Sequence, residues 1–156
     1  MNMNMIVPLL LVSLVSSSVH ATDVRYCDKK VDYDVKVNAV EITPNPVARG
    51  QPATFSIAAS TGKAISGGKL NLDVAYFGWH VHSESHDLCG ETPCPVQTGD
   101  FVISHSQVLP GFTPPGSYTL KMKIVDANNK QLSCVEFDFS IGFGSSVAGL
   151  AAINAI

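Results

Sequence analysis

Three histidines within eight residues are the feature of this sequence most suggestive of chemistry. The stretch reads HVHSESHD, with His80 and His82 two positions apart and His86 close behind. Alternate residues of a strand share one face, where two imidazoles could hold a metal ion, and Glu84 and Asp87 could add oxygen ligands. We nevertheless predict no metal centre, because the neighbouring cysteines are expected to be oxidised. The histidines are better interpreted as surface residues or as residues lining the mouth of a cavity.

Catalytic signatures are missing from the rest of the sequence. The chain has no G-x-S-x-G motif, and no serine or cysteine stands in a context that would mark it as a nucleophile. A histidine near a carboxylate is too common to indicate catalysis. We therefore expect neither an enzyme nor a bound cofactor.

The first 21 residues have the pattern of a secretory signal peptide. An apolar run from Ile6 to Val15 is followed by Val19-His20-Ala21, which places small residues at the two positions that a signal peptidase reads. The run is shorter than the roughly 20 apolar residues needed to span a bilayer. We predict cleavage after residue 21, with an uncleaved anchor as the alternative.

The four cysteines form an even set in a chain expected to be secreted, which indicates two disulfides. Four cysteines allow three pairings. Cys89 and Cys94 enclose only four residues, which favours a local bridge and leaves Cys27 with Cys134. The longer bridge would remove about 4 to 5 kcal/mol of unfolded-state entropy in the chain-entropy model.

The charge of the chain argues against electrostatic binding to nucleic acid. The net charge is −3, and none of the charged residues lies in the first 21 positions. Because the lysines and arginines are scattered, no basic stripe is available for a phosphate backbone or a strongly anionic membrane. We expect no nucleic-acid partner.

The segment 116–141 gives the clearest structural signal, because apolar and polar residues alternate on both sides of a short turn. Side chains of a strand point alternately to opposite faces, so each half predicts a strand with one apolar face. The polar turn 127–130 suits a hairpin, since asparagine tolerates positive φ. The apolar positions are Tyr118, Leu120, Met122, Ile124, Val135, Phe137, Phe139 and Ile141.

Shorter alternating segments precede this hairpin, at 35–42, 51–60, 69–77 and 101–109. A change of parity near Ala39 predicts a β-bulge. The stretch 78–99 lacks alternation and is predicted to be irregular. Short strands separated by proline and glycine, with no amphipathic helix before residue 145, indicate an antiparallel β-sandwich.

Phe112 differs from the other aromatic residues because it lies in a turn rich in proline and glycine. An apolar ring exposed at such a place needs a partner. Membrane lipid is one such partner, so we expect transient contact with a membrane.

Several segments together resemble the ML (lipid-recognition) domain family over about residues 24–143. The match is nearest to plant members described as phosphatidylglycerol/phosphatidylinositol transfer proteins, which are related to the Niemann–Pick type C cholesterol carriers. The segments are Tyr26-Cys27-Asp28, GQPATFSIAASTGKAISGGKL (50–70), YFGWHVHSESHDLCGETPCP (76–95), LPGFTPPGSYTLKMKIVD (109–126) and LSCVEFDFSIGF (132–143).

The resemblance implies an immunoglobulin-like sandwich over residues 22–143, with two sheets that separate to admit a lipid. It implies a carrier of phospholipid or sterol between membranes, or alternatively a lipid-dependent adaptor or co-receptor for a membrane protein. It also implies the bridges Cys27–Cys134 and Cys89–Cys94. The residues then expected to line the lipid cavity are Phe55, Ile57, Leu70, Leu72, Val74, Tyr76, Phe101, Ile103, Phe112, Tyr118, Leu120, Met122, Ile124, Val135, Phe137 and Phe139.

The last 13 residues, 144–156, form an apolar tail beyond the final predicted strand. The tail lacks the polar spacer of a GPI signal. Plant vacuolar proteins can carry short apolar sorting peptides at this end. We therefore expect the secretory pathway, with the extracellular space (the apoplast) or the vacuole as the destination.

Overall fold

The computed structural model describes residues 22–143, so the expected signal peptide at 1–21 and the tail at 144–156 lie outside the described residues. No helix within 22–143 is long and apolar enough to cross a membrane. The described elements are β1 (Val24–Tyr26), β2 (Val35–Thr43), β3 (Pro52–Thr61), β4 (Gly68–Tyr76), β5 (Trp79–Asp87), α1 (Leu88–Glu91), β6 (Gly99–Val108), β7 (Gly116–Asp126) and β8 (Gln131–Ile141).

The strands form two antiparallel sheets, as the alternation predicted. One sheet has the order β1-β8-β7-β4-β5 and the other has the order β2-β3-β6. The apolar faces of the two sheets lie against each other, which removes their side chains from water. On β3, for example, Ala53, Phe55, Ile57 and Ala59 are buried while the residues between them are half-buried. The predicted β-sandwich is confirmed.

The predicted hairpin is β7 and β8, which pair from Gly116 with Ile141 to Val125 with Gln131. In its turn Asn129 has a φ of 62°, a conformation that asparagine adopts at low cost. The predicted bulge is also present, because the pairing of β2 with β3 shifts between Val37 and Ala39.

The prediction that 78–99 is irregular was wrong for residues 79–91. Residues 79–87 form β5, and Asp87 caps the single turn of α1 by accepting a hydrogen bond from the backbone N–H of Cys89 at 3.0 Å. β5 is the outer strand of its sheet, and most of its side chains are exposed. A strand that buries neither face has no need of apolar alternation, so its sequence does not reveal it.

Two disulfides staple one end of the sandwich. Cys27 bonds Cys134 of β8, and Cys89 bonds Cys94, which is the pairing that the sequence favoured. The chain's four cysteines all lie within residues 22–143, and all four are paired in these two bridges. Such disulfides persist in oxidising compartments, so they are typical of a protein of the secretory pathway.

The two long sides of the sandwich are joined differently. On one side, backbone groups link the sheets: Thr22 N–H donates to Val40 at 2.9 Å and Val47 N–H donates to Ser140 at 2.8 Å. On the other side, β5 and β6 belong to different sheets and are bridged by side chains, including Gln107 to Glu84 at 2.8 Å. Side chains therefore link the two sheets on the β5–β6 side.

Candidate functional site

A cavity of about 520 Å³ lies between the sheets at one end of the sandwich. Strands of both sheets form its walls and the loop before β7 covers its end. Its lining is aliphatic, aromatic or proline except for a small polar group on β5, β6 and the loop. The lining residues are Ala53, Phe55, Leu72, Val74, Tyr76, Val81, His82, Glu84, His105, Gln107, Val108, Leu109, Pro110, Phe112, Thr113, Pro114, Tyr118, Leu120, Phe139 and Ile141.

Half of the sixteen residues expected to line a cavity lie in this wall. They are Phe55, Leu72, Val74, Tyr76, Phe112, Tyr118, Leu120 and Phe139. The other eight lie outside it, packed against each other or against the core. They are Ile57, Leu70, Phe101, Ile103, Met122, Ile124, Val135 and Phe137.

The division follows position along the strands. Residues outside the wall lie toward the end with the disulfides, where Leu70, Met122 and Ile124 have no exposed surface. Residues in the wall lie toward the opposite end, where β3 begins and β8 ends. Alternation specifies the face on which a side chain lies, but it does not specify where along the strand the sheets separate.

Some lining residues were absent from the expected set. Ala53 and Ile141 share a strand face with Phe55 and Phe139, so parity could have found them. The others lie on β5, at the end of β6 or in the loop, where no apolar alternation exists. They are Val81, His82, Glu84, His105, Gln107, Val108, Leu109, Pro110, Thr113 and Pro114.

Stacked aromatic rings form the part of the wall next to the loop. The rings of Tyr76 and Tyr118 stack with centroids 4.5 Å apart, and Tyr118 stacks on Phe139 at 5.4 Å. The Tyr76 hydroxyl donates to the carbonyl of Pro115 at 2.9 Å, and that of Tyr118 donates to Pro114 at 2.7 Å. Burial raises the pKa of Tyr118, with a smaller contribution from Tyr76, so its hydroxyl keeps the proton it donates. These bonds fix the loop over the cavity.

The loop has a second attachment through Arg49. Its guanidinium donates to the carbonyls of Thr113 at 3.3 Å and Gly111 at 3.5 Å, and it also reaches the carbonyl of Phe143. Between these attachments the Phe112 ring is 87% exposed. The loop therefore has a fixed backbone that holds an apolar ring in water.

Two more aromatic rings are exposed at the same end of the sandwich. Trp79 is 78% exposed and Phe77 is 74% exposed, and Phe77 contacts the cavity residue Tyr76 with ring centroids 4.4 Å apart. The β4–β5 turn holds Phe77 at a φ of 49° and Gly78 at 79°. Positive φ is uncommon for an aromatic residue, yet here it places the ring outside the sheet. Phe77, Trp79 and Phe112 together are named the aromatic rim.

Glu84 is the centre of the polar group in the cavity wall. Its carboxylate lies 2.7 Å from Nε2 of His82 and 2.8 Å from Nε2 of His86, and it accepts a hydrogen bond from Gln107 at 2.8 Å. Burial alone would raise the pKa of Glu84, but the hydrogen bonds from His86, His82 and Gln107 together outweigh burial and lower its pKa to about 2. Glu84 is therefore ionised at neutral pH.

The histidines do not group as their spacing suggested. His80 lies apart, 2.7 Å from the hydroxyl of Ser83. His86 of β5 instead meets His105 of β6, with ring centroids 4.6 Å apart. Ligand atoms of Glu84, His86 and His105 lie within 4.8 Å of one another. The sequence could not indicate this group, because the strands that carry it belong to different sheets.

The sequence of this chain is similar to the sequences of one protein family. The family model described as ML domain matches residues 21–141. The MD-2-related lipid-recognition protein ROSY1 of Arabidopsis thaliana is 35% identical over 137 residues, covering 83% of this chain and 84% of the relative. A phosphatidylglycerol/phosphatidylinositol transfer protein of Neurospora crassa is 31% identical over 134 residues, covering 80% and 75%.

Among solved structures, a Niemann-Pick type C2 protein from the Japanese carpenter ant is similar in fold. It superposes with a TM-score of 0.60 over 76% of this chain and 99% of that chain. Sequence identity is 13%, so this likeness concerns the fold alone.

Proposed function

This chain belongs to the ML domain family, and we propose that it binds a phospholipid or a sterol between its sheets and carries it between membranes. The observation that carries the proposal is the cavity of about 520 Å³, whose size and mostly apolar lining are typical of small-ligand sites of roughly 300 to 1,000 Å³. The name of the Neurospora crassa relative, a phosphatidylglycerol/phosphatidylinositol transfer protein, favours these two phospholipids as cargo. The proposed role has no catalytic step.

A carrier requires walls that match the bilayer. Burying each methylene of an acyl chain is worth about 0.8 kcal/mol, but the chain is already buried in the membrane it leaves. Net affinity over the membrane therefore stays small, and the lipid can be released again. Smooth apolar walls such as those of Leu72, Leu120 and Phe139 supply this kind of non-directional contact.

The negative charge of Glu84 limits the orientation that a lipid can take in the cavity. An anionic phosphate next to this carboxylate would be repelled, since like charges at short range disfavour each other. We therefore place the headgroup of a phospholipid outside, beyond the aromatic rim, with its chains inside. A sterol could instead donate a hydrogen bond from its hydroxyl to the Glu84 carboxylate.

The aromatic rim supports transient contact with a membrane. Phe77, Trp79 and Phe112 are exposed at the end of the sandwich that contains the cavity. Aromatic side chains favour the interface between apolar chains and water. Because the net charge is −3, we attribute this contact to apolar insertion and not to attraction by anionic lipid.

We further propose that the protein acts outside the cell or in the vacuole. The two disulfides support the secretory pathway, and residues 144–156 are the candidate vacuolar sorting peptide. A fluorescent fusion placed between the leader and the mature chain should move from the vacuole to the medium when these residues are deleted. An unchanged distribution would assign no sorting role to them.

Transfer between vesicles tests the proposed function. Donor vesicles carry self-quenched fluorescent phosphatidylglycerol, phosphatidylinositol or sterol, and acceptor vesicles are unlabelled. The mature protein should increase the rate of dequenching in proportion to its concentration for at least one lipid. Protein that neither binds nor transfers any of the three contradicts the proposal. Binding without transfer would favour the adaptor role for a membrane protein.

A further inference from the structure

His86 and His105 lie between two carboxylates on the side where the sheets are joined by side chains. The Nδ1 atoms of both rings face Oε1 of Glu91, at 3.8 Å for His86 and 3.2 Å for His105. The Nε2 atoms of both rings face Oε2 of Glu84, at 2.8 Å and 3.9 Å. Both imidazoles thus have the same orientation, with one nitrogen toward each carboxylate.

His105 has acceptors at both ring nitrogens. Its Nε2 lies 3.1 Å from the side-chain oxygen of Gln107, and the amide nitrogen of Gln107 already donates to Glu84. Flipping that amide would place its oxygen against a carboxylate. A neutral imidazole has only one N–H, so one nitrogen of a neutral His105 would face an oxygen lone pair. The residue is 6% exposed, which limits relief by water.

A metal ion between the rings of His86 and His105 would give each Nε2 atom a partner for its lone pair. The ring centroids of His86 and His105 lie 4.6 Å apart, close enough for both rings to share one ion. A single divalent ion would satisfy both Nε2 atoms and the Glu84 carboxylate, while Glu91 accepts a hydrogen bond from Nδ1–H of His105. Carboxylates behind ligating histidines are the usual orienting partners in metal sites.

The ligand set and its spacing suit zinc. Two imidazole nitrogens and one carboxylate oxygen form a known zinc set with a fourth position open. Zinc bonds of about 2.0 to 2.2 Å place tetrahedral ligand atoms about 3.3 Å apart. The two distances from Glu84 Oε2, 2.8 Å to His86 and 3.9 Å to His105, lie on either side of this value. Small side-chain movements would form the site.

We propose that Glu84, His86 and His105 bind one Zn²⁺ ion, with Glu91 as the positioning residue for His105, whose Nδ1 lies 3.2 Å from it. The ion would link β5 to β6 and so tie together the two sheets on their side-chain-bridged side. Because Glu84 and His105 also line the cavity, zinc binding is measured on the lipid-free protein, which keeps its outcome separate from that of lipid binding. The sequence-based expectation of no metal centre considered only histidines that are neighbours along the chain, and His105 was not among them.

The test uses tag-free mature protein, since an affinity tag of histidines would bind the probe. Calorimetric titration with zinc chloride should give one ion per chain, and zinc should raise the melting temperature. Cobalt chloride should give the visible absorption of a tetrahedral site. His105→Gln and His86→Gln should each abolish all three signals, and Glu91→Gln should weaken zinc binding by about 10- to 100-fold.

His80→Gln is the matched control, because His80 lies on the same strand but contacts Ser83. It should bind zinc as the wild type does. Circular dichroism of each metal-free variant checks folding, and the half-exposed position of His86 makes its variant the one expected to remain folded. No zinc binding by the wild type overturns the proposal. Equal loss in His80→Gln and His86→Gln, or none in His86→Gln, overturns it as well.

Discussion

The same substitution, made at Ala53 or at Ala59, distinguishes the cavity from the packed core. Both lie on β3, on the same strand face, and each is 1% exposed. Only Ala53 lines the cavity, whereas Ala59 packs in the core toward the disulfide end. A leucine at either position adds three carbon atoms to the space between the sheets. The two variants should therefore differ only because the added atoms enter a cavity at Ala53 and a packed core at Ala59.

The expected changes in the free energy of unfolding have opposite signs for the two variants. At Ala59 the extra atoms enter a packed region, where over-packing costs about 1 to 3 kcal/mol of folding free energy. At Ala53 they enter the cavity, and burying three carbons at about 0.8 kcal/mol each is worth at most about 2.4 kcal/mol. The lipid-free Ala53→Leu protein should therefore be at least as stable as the wild type. The same three carbons displace lipid contacts, so affinity should fall by up to about 50-fold.

Two assays measure this pair. Urea unfolding gives the free energy of unfolding for each lipid-free variant, and displacement of a fluorescent lipid gives the affinity. Ala53→Leu should lose affinity without losing stability, and Ala59→Leu should lose stability with affinity nearly unchanged once folded. If Ala53→Leu is destabilised as much as Ala59→Leu and binds lipid normally, the cavity is not the lipid site.

Three further predictions follow from the rim, the polar group and the longer disulfide. Trp79→Ser should slow transfer between vesicles while leaving lipid affinity unchanged, because Trp79 is exposed and lies outside the cavity wall, and Val31→Ser, an exposed control at the opposite end, should change neither. Because the pKa of Glu84 is lowered from 4.5 to about 2 in the fold, its stabilisation of up to about 3 kcal/mol is present above pH 4.5 and is lost as the pH falls toward 2. The stability difference between wild type and Glu84→Gln should therefore shrink over this range in urea titrations. Replacing Cys27 and Cys134 with alanine should cost about 4 to 5 kcal/mol, because the bridge closes a separation of 107 residues.

Each of these predictions has a contradicting outcome. Equal effects of Trp79→Ser and Val31→Ser on the transfer rate would show that the aromatic rim does not contact the membrane. A difference between wild type and Glu84→Gln that is constant from pH 6 to pH 2 would show that the carboxylate gains nothing from its partners. Loss of less than about 1 kcal/mol in the alanine pair would mean that the bridge does not constrain the unfolded chain as the entropy model holds.

The hairpin could be predicted because its residues satisfy local rules. Alternation from Tyr118 to Ile124 and from Val135 to Ile141 fixes the buried face of each strand, and the asparagine turn fixes their register. β5 could not be predicted, because an exposed outer strand carries no apolar alternation. Local patterns identify strands by the face they bury, so a strand with no buried face leaves no such pattern.

The cavity depends on properties that are not local. Leu70 and Leu72 are equivalent in type and parity on β4, yet only Leu72 meets the cavity. The difference arises from the separation of the sheets at that point, which depends on contacts distant in sequence. The contact between His86 and His105 is also not local, because it requires the outer strands of two sheets to lie side by side.

Native mass spectrometry of the mature protein after incubation with vesicles measures directly whether the cavity holds a lipid. We expect a complex of one lipid with each chain for the wild type, and a clearly smaller fraction of complex for Ala53→Leu. A wild-type spectrum that contains only the lipid-free chain, with the protein folded and the lipid in excess, would show that the protein does not bind lipid between its sheets.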